Sequence, residues 1–105
     1  MNVKNQKAAA IFLNLSAEFF LKEVNFKGGI VTVTAVDVTS DKNNATVWVA
    51  LHNINYADFD KKISVLESGL RYYVSQHSKL HHAPHFVIKI DDSIDASQKI
   101  QEILK

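Results

Sequence analysis

The chain has 105 residues, 47% of them apolar and 22% charged, with one proline, three glycines and no cysteine. That is room for one domain with a modest core, and it excludes disulfide frameworks, thiolate metal sites, cysteine nucleophiles and Pro/Gly-rich disordered chains. Twelve Lys and Arg against eleven Asp and Glu leave a net charge of +1, so attraction to nucleic acid or membrane has to come from a local patch.

Residues 5–24 read as a helix. Ala8, Ile11, Phe12, Leu15 and Phe19 fall at helical spacing, with Asn5, Asn14, Glu18 and Lys22 toward water. The apolar run from Ala8 to Leu13, behind Lys4 and Lys7, is too short for a secretion signal and is cut by Asn14. No segment approaches the ~20 apolar residues of a membrane span. A cysteine-free domain with neither feature is expected in the cytoplasm.

Gly28-Gly29 ends the helical segment. Ile30 to Val38 is rich in β-formers, and strict alternation puts Val31, Val33 and Ala35 on one face and Thr32, Thr34, Val36 and Val38 on the other. Thr39 to Asn44 is a polar turn whose side chains can bond their own backbone. Ala45 to Leu51 is a second strand. Ala45, Val47, Val49 and Leu51 face inward, and Thr46, Trp48 and Ala50 lie opposite. The spacing predicts an antiparallel hairpin.

His52 to Tyr56 reads as a loop, and Asp58 opens a long helix. Its apolar stripe is Phe59, Ile63, Leu66, Leu70, Tyr73 and Val74; the opposite face carries Lys61, Ser64, Ser68, Arg71 and Ser75. Gly69 sits inside this pattern. A glycine there costs about 1 kcal/mol relative to alanine, so it requires a reason: a kink or a close backbone approach. Ala83-Pro84 leads into a third strand, His85 to Ile90, with Phe86, Ile88 and Ile90 on one face. Asp92 or Ser93 then caps a last helix carrying Ile94, Ile100, Ile103 and Leu104. The chain is expected to be a single α+β domain over residues 1–105, with a three-stranded sheet packed against helices.

Two blocks of residues carry a resemblance. The first is Val31-Thr32-Val33-Thr34, Val36-Asp37-Val38, Ser40-Asp41, Ala45, Val47 and Val49. The second is Gly69-Leu70-Arg71, Leu80, Pro84, Phe86, Asp91-Asp92-Ser93-Ile94, Ile100 and Ile103-Leu104. In order, over about residues 10–104, they resemble the bacterial ribosome-binding factor A family. The resemblance implies a KH-like fold of the type II topology, with a helix-kink-helix in place of the GXXG loop. Glu67-Ser68-Gly69 is similar to the family's Ala-x-Gly kink. It also implies a monomer that binds immature small ribosomal subunits and their rRNA. Such a protein assists late maturation and 5′-end processing, matters most in the cold, and is neither an enzyme nor a cofactor carrier. Glu67 departs from the family's alanine. Its carboxylate repels phosphate and can pair with Arg71 four residues on.

Charge distribution points to the same region. From Ser68 to Ile90 there is no Asp or Glu, but there are Arg71, Lys79, Lys89, His77, His81, His82 and His85. Lys61 and Lys62 precede this stretch. Phosphates need cations within reach, and each contact adds salt-sensitive affinity through counterion release. The candidate RNA-binding set is therefore Lys61, Lys62, Ser68, Gly69, Arg71, Lys79, His81 and His82, with Gly69 setting the kink. A solvated helix face is the bland alternative.

His77 and His81 are spaced for two metal ligands on one helix face. With no HExxH pattern, no cysteine and no carboxylate nearby, no metal site is expected. Asp91-Asp92 is read as a strand end and helix cap, where negative charge suits the helix dipole. Ser40, Asp41 and His52 carry no nucleophile motif, so no catalytic residue is assigned. The competing function is a protein–protein adaptor that uses the sheet face around Trp48 and Val87 and associates independently of salt. Trp48 either stacks on a base or covers a neighbouring strand residue. Tyr73 is assigned to the core, and Tyr72 to half-exposed packing.

Overall fold

A computed structural model describes residues 3–78 and 83–91. The order is α1 (Val3–Lys22), β1 (Ile30–Val38), β2 (Asn44–His52), α2 (Tyr56–His77) and β3 (His85–Ile90). The expected last helix lies outside the described residues. Strand β2 is central; it pairs antiparallel with β1 and parallel with β3. Helix α1 lies against β1 and α2 against β3. The chain is therefore α+β, with a three-stranded sheet whose inner face is covered by helices.

Helix α1 begins and ends two residues before the expected range. Its buried line is Ala8, Phe12, Leu15, Ser16, Phe19 and Phe20. Ile11 was expected on that line but is 42% exposed. A stripe of period 3.6 running through Phe12 and Phe19 leaves Ile11 on its flank. Past the helix, Gly28 adopts φ +70°, the left-handed conformation that glycine takes without strain.

The strict alternation expected for β1 fails at one residue. Val33 pairs with Val49 and Ala35 pairs with Trp48, which leaves Thr34 as the extra residue of a β-bulge. A bulge moves every later residue to the opposite face. So Val36 and Val38 join Val31 and Val33 against the core, and Ala35 turns outward. The hydroxyl of Thr34 donates to Asp91 Oδ2 at 2.8 Å and lies 3.2 Å from the Trp48 carbonyl oxygen. The Asp91 N–H donates to the Val49 carbonyl at 2.7 Å, which extends the β2–β3 ladder by one step. Strand β2 runs one residue further at each end than expected; Ala45, Val47, Val49 and Leu51 are buried as expected, and Ala50, expected on the opposite face, is buried as well.

In the hairpin turn, Asp41 Oδ1 accepts from the Thr39 hydroxyl at 2.6 Å and from the Asn43 N–H at 3.0 Å. The Thr39 hydroxyl first, and the Asn43 N–H second, hold this carboxyl below its ordinary value of 3.8. A carboxyl with a depressed folded pKa stabilises above its unfolded value, and that contribution is lost as pH falls through the folded one. The Asn43 amide proton resonance is therefore expected to shift with an apparent pKa below 3.8. A midpoint at or above 3.8 would contradict this turn geometry.

Helix α2 starts earlier than expected. Asn55 is the N-cap, and its side-chain oxygen accepts from the Ala57 N–H at 2.8 Å. Asp58 instead lies in the first turn, where its charge suits the helix dipole. The sequence reading left Asn55 in the preceding loop, although asparagine caps a helix as well as aspartate does. Phe59, Leu66, Leu70, Tyr73 and Val74 are buried, with Ile63 packed beside them. Three ring contacts tie the layers together: Phe12 edge-on to Phe86 at 5.6 Å, Phe19 to Tyr73 at 5.7 Å, and Phe26 to Phe59 at 5.8 Å.

Candidate nucleic-acid interface

The outward face of α2 follows from its buried one. With Phe59, Leu66, Leu70 and Tyr73 fixed inward, Lys61, Val65, Ser68 and Tyr72 lie on the opposite side and are exposed. Lys61 and Ser68 were expected there. Tyr72 was not: it is 68% exposed, and among the described residues its side chain makes no hydrogen bond or ring contact. Sequence patterning put Tyr73 in the core, where it lies, and read Tyr72 only as half-exposed packing, so Tyr72 was not counted among the surface contacts. The signal available was its spacing of eleven residues from Lys61, close to three helical turns.

The other proposed contacts have more specific surroundings. The Lys62 ammonium lies 5.0 Å from the centroid of the Phe26 ring. That cation–π contact turns it toward the segment between α1 and β1. Arg71 is half-buried, and its Nε donates to the Ala83 carbonyl at 3.4 Å. The guanidinium therefore steadies the entry into β3 while its terminal nitrogens keep further donors. Lys79, His81 and His82 lie outside the described residues. His77 stacks on Tyr73 at 4.0 Å, and its Nδ1 is 2.8 Å from the Tyr73 carbonyl oxygen.

Gly69 has a packing reason. A Cβ built there would stand 3.2 Å from Phe19 Cζ. The close approach is present: α1 and α2 meet through a bare glycine. The helical assignment of α2 continues through this residue from Tyr56 to His77. Gly69 thus acts by letting α2 sit against α1, and its open side is turned to Phe19 rather than outward.

Glu67 does not behave as expected. Its Oε2 accepts from the Ile88 N–H at 2.9 Å, so it is engaged with β3 and not with Arg71. The physical reason lies in the sheet order. Strand β3 is an edge, and its N–H groups that point away from β2 need an acceptor. A carboxylate supplies a strong one. With Glu67 at Ile88 and Arg71 at Ala83, α2 holds β3 at one point and the segment leading into it at another. The carboxylate is thereby drawn toward the sheet. Glu67→Ala is expected to cost about 1–3 kcal/mol by orphaning that donor, whereas Glu67→Gln keeps an oxygen acceptor and costs less. Urea titration of both variants checks this; equal losses would contradict it.

The opposite sheet face carries Trp48. Its indole N–H donates to Asp37 Oδ2 at 3.1 Å, and Lys89 Nζ lies 5.5 Å from the ring centroid. Trp48 thus covers its strand neighbours, the simpler of its two readings. A separate groove of about 410 Å³ runs between the end of α1 and the start of β1. It is lined by Phe20, Leu21, Val24, Phe26, Ile30 and Val31 among others, and none of its lining residues is ionisable. Among the described residues there is no cluster of three or more His, Cys, Asp or Glu positioned to hold a metal ion. No described helix is long and apolar enough to cross a membrane.

An antiparallel hairpin, a third strand added in parallel, and two helices on one sheet face define a small KH-like α+β protein. The family model for ribosome-binding factor A matches residues 4–104, and the chain belongs to that family. It is 38% identical over 82 residues to a ribosome-binding factor A of Brevibacillus brevis, covering 73% of this chain and 65% of the relative. With the Anaplasma marginale protein of the same name the match is 27% over 105 residues, covering 97% and 89%. The match spans 65% of the length of the Brevibacillus brevis and Desulforamulus reducens relatives.

The crystal structure of ribosome-binding factor A from Thermus thermophilus superposes with a TM-score of 0.66 at 17% identity, covering 80% of this chain and 92% of that one. A homology model of the Thermus thermophilus factor, fitted into a cryo-EM map of its 30S complex, gives a TM-score of 0.65 at 16% identity. That match covers 80% and 91% of the two chains. These two likenesses share the fold.

Proposed function

We propose that the protein is an assembly factor of the small ribosomal subunit, acting as one unit over residues 1–105. It binds immature small subunits and their rRNA in the cytoplasm, as a monomer, and assists late maturation, including processing at the 5′ end. It works by binding, without covalent chemistry or a cofactor. The observation that carries this reading is the family membership together with the face of α2. That face presents Lys61, Ser68 and Tyr72, and in sequence it runs into a stretch from Ser68 to Ile90 that contains no Asp or Glu.

Lys61, Lys62 and Arg71 neutralise phosphates, and Ser68 offers a hydroxyl beside them. Lys79, His81 and His82 extend the same cationic run in sequence. Binding favours one rRNA conformer, and release follows when that conformer is consumed. The turning of Glu67 toward Ile88 removes the main objection to this surface, a carboxylate aimed at phosphate. Deleting the protein is expected to accumulate small-subunit rRNA with unprocessed 5′ ends, most strongly in the cold. Mature 5′ ends at the normal level in the deletion strain, at every growth temperature, would overturn the proposal.

A further inference from the structure

We infer that Tyr72 is an RNA-stacking residue: an unpaired base of the small-subunit rRNA lies on its ring, and Ser68 contacts the adjoining sugar or phosphate. This rests on the proposed function and assigns a contact within it. The first observation is exposure. Val65 is 74% exposed and Tyr72 is 68% exposed. A helix turns about 100° per residue, so Lys61 and Tyr72 lie about 20° apart around the axis and about 16.5 Å apart along it. A phosphate on the lysine and a base on the tyrosine therefore belong to one bound strand or loop.

The second observation concerns what stands between the exposed apolar residues. A helix that docks into a protein groove presents apolar anchors at i, i+3 or i+4, and i+7. Here Val65 and Tyr72 are seven apart, but the middle positions are Ser68, which is exposed, and Gly69, which is turned to Phe19. The central anchor is missing. In its place is a small hydroxyl side chain, which leaves room for a flat base beside the ring and offers a donor to a 2′-hydroxyl or phosphate.

The third observation is charge. The acids of α2's first turns, Asp58 and Asp60, lie at the far end from Tyr72, and Glu67 is bonded to Ile88. No Asp or Glu follows until Asp91, whereas Arg71 adjoins Tyr72 directly. A bare aromatic ring beside an exposed hydroxyl, in a stretch of sequence with cations and no Asp or Glu, fits a nucleic acid better than an apolar protein segment.

Titrating purified small subunits with wild type, Tyr72→Ala and Tyr72→Phe across a salt series tests the assignment. Tyr72→Ala is expected to weaken binding by about tenfold. Its slope against salt should match wild type, because stacking releases no counterions. Tyr72→Phe keeps the ring and should bind within about twofold of wild type. Ultraviolet irradiation of the wild-type complex should cross-link Tyr72 to an rRNA nucleotide. Unchanged affinity of Tyr72→Ala overturns the inference, as does a Tyr72→Phe loss equal to the alanine loss, or a cross-link to a ribosomal protein. Failure of wild type to bind subunits at all removes the functional reading and this inference with it. Wild-type binding with an indifferent Tyr72→Ala removes the inference alone.

Discussion

Phe12→Ala is expected to lower the free energy of unfolding by about 3–5 kcal/mol. A domain of this size holds about 5–15 kcal/mol in total, so the variant stands near the limit of folding. Phe12 is 1% exposed, and its ring meets Phe86 edge-on at 5.6 Å. It is a contact by which α1 reaches across the inner face to β3, the strand whose Ile88 N–H Glu67 holds from α2. Truncation leaves a cavity whose walls come from two layers and cannot close together. Urea titration checks this through a fall in midpoint at constant slope. Val65→Ala, on the exposed face of α2, should change stability by less than about 0.5 kcal/mol. A Phe12→Ala loss below about 1 kcal/mol would contradict the packing described.

Reversing both lysines at the start of the α2 face is expected to have the larger functional effect. Lys61→Glu/Lys62→Glu should weaken binding to small subunits by about tenfold or more at low salt. It should also reduce the slope of log affinity against log salt by about 1.4, at roughly 0.7 for each phosphate contact with an unpaired strand. Both residues are exposed. The fold should therefore lose only the contact of Lys62 with Phe26, worth about 0.5–1 kcal/mol at an exposed site. Unchanged affinity together with an unchanged salt slope would place the RNA contact elsewhere. The two variants separate cleanly, since one tests the core with the surface intact and the other the surface with the core intact.

The sequence announced the elements whose signal is local. Strand β3 begins and ends at the expected residues because Pro84 bounds it and Phe86 and Ile88 alternate inward. The buried stripe of α2 follows from period alone. What failed were features set by partners distant in the chain. Nothing local in Val33-Thr34-Ala35 marks the bulge; it is fixed by pairing with Val49 and Trp48 and by the Thr34 bond to Asp91, 57 residues on. The role of Glu67 was misjudged for the same reason. Helix spacing offers Arg71 as its partner, but the unpaired Ile88 N–H of an edge strand is a stronger claim, and only the tertiary fold brings it near. Gly69 was legible as a problem and not as a solution, because the ring that explains it belongs to Phe19 on another helix.

The candidate surface was legible in its charge and only partly legible in its aromatic residues. An acid-free run can be counted from letters. The helical stripe already gave Tyr73 to the core, but the full exposure of Tyr72 depends on how α1 and β3 pack around α2.

Sedimentation of the tagged protein with ribosomal particles at low and high salt tests the central claim most directly. Co-migration with free or immature small subunits at low salt, lost as salt rises, is the predicted result, because binding through phosphates releases counterions. Absence from every ribosomal fraction at low salt would contradict it. Retention that is indifferent to salt would contradict the rRNA contact and favour an adaptor working through protein.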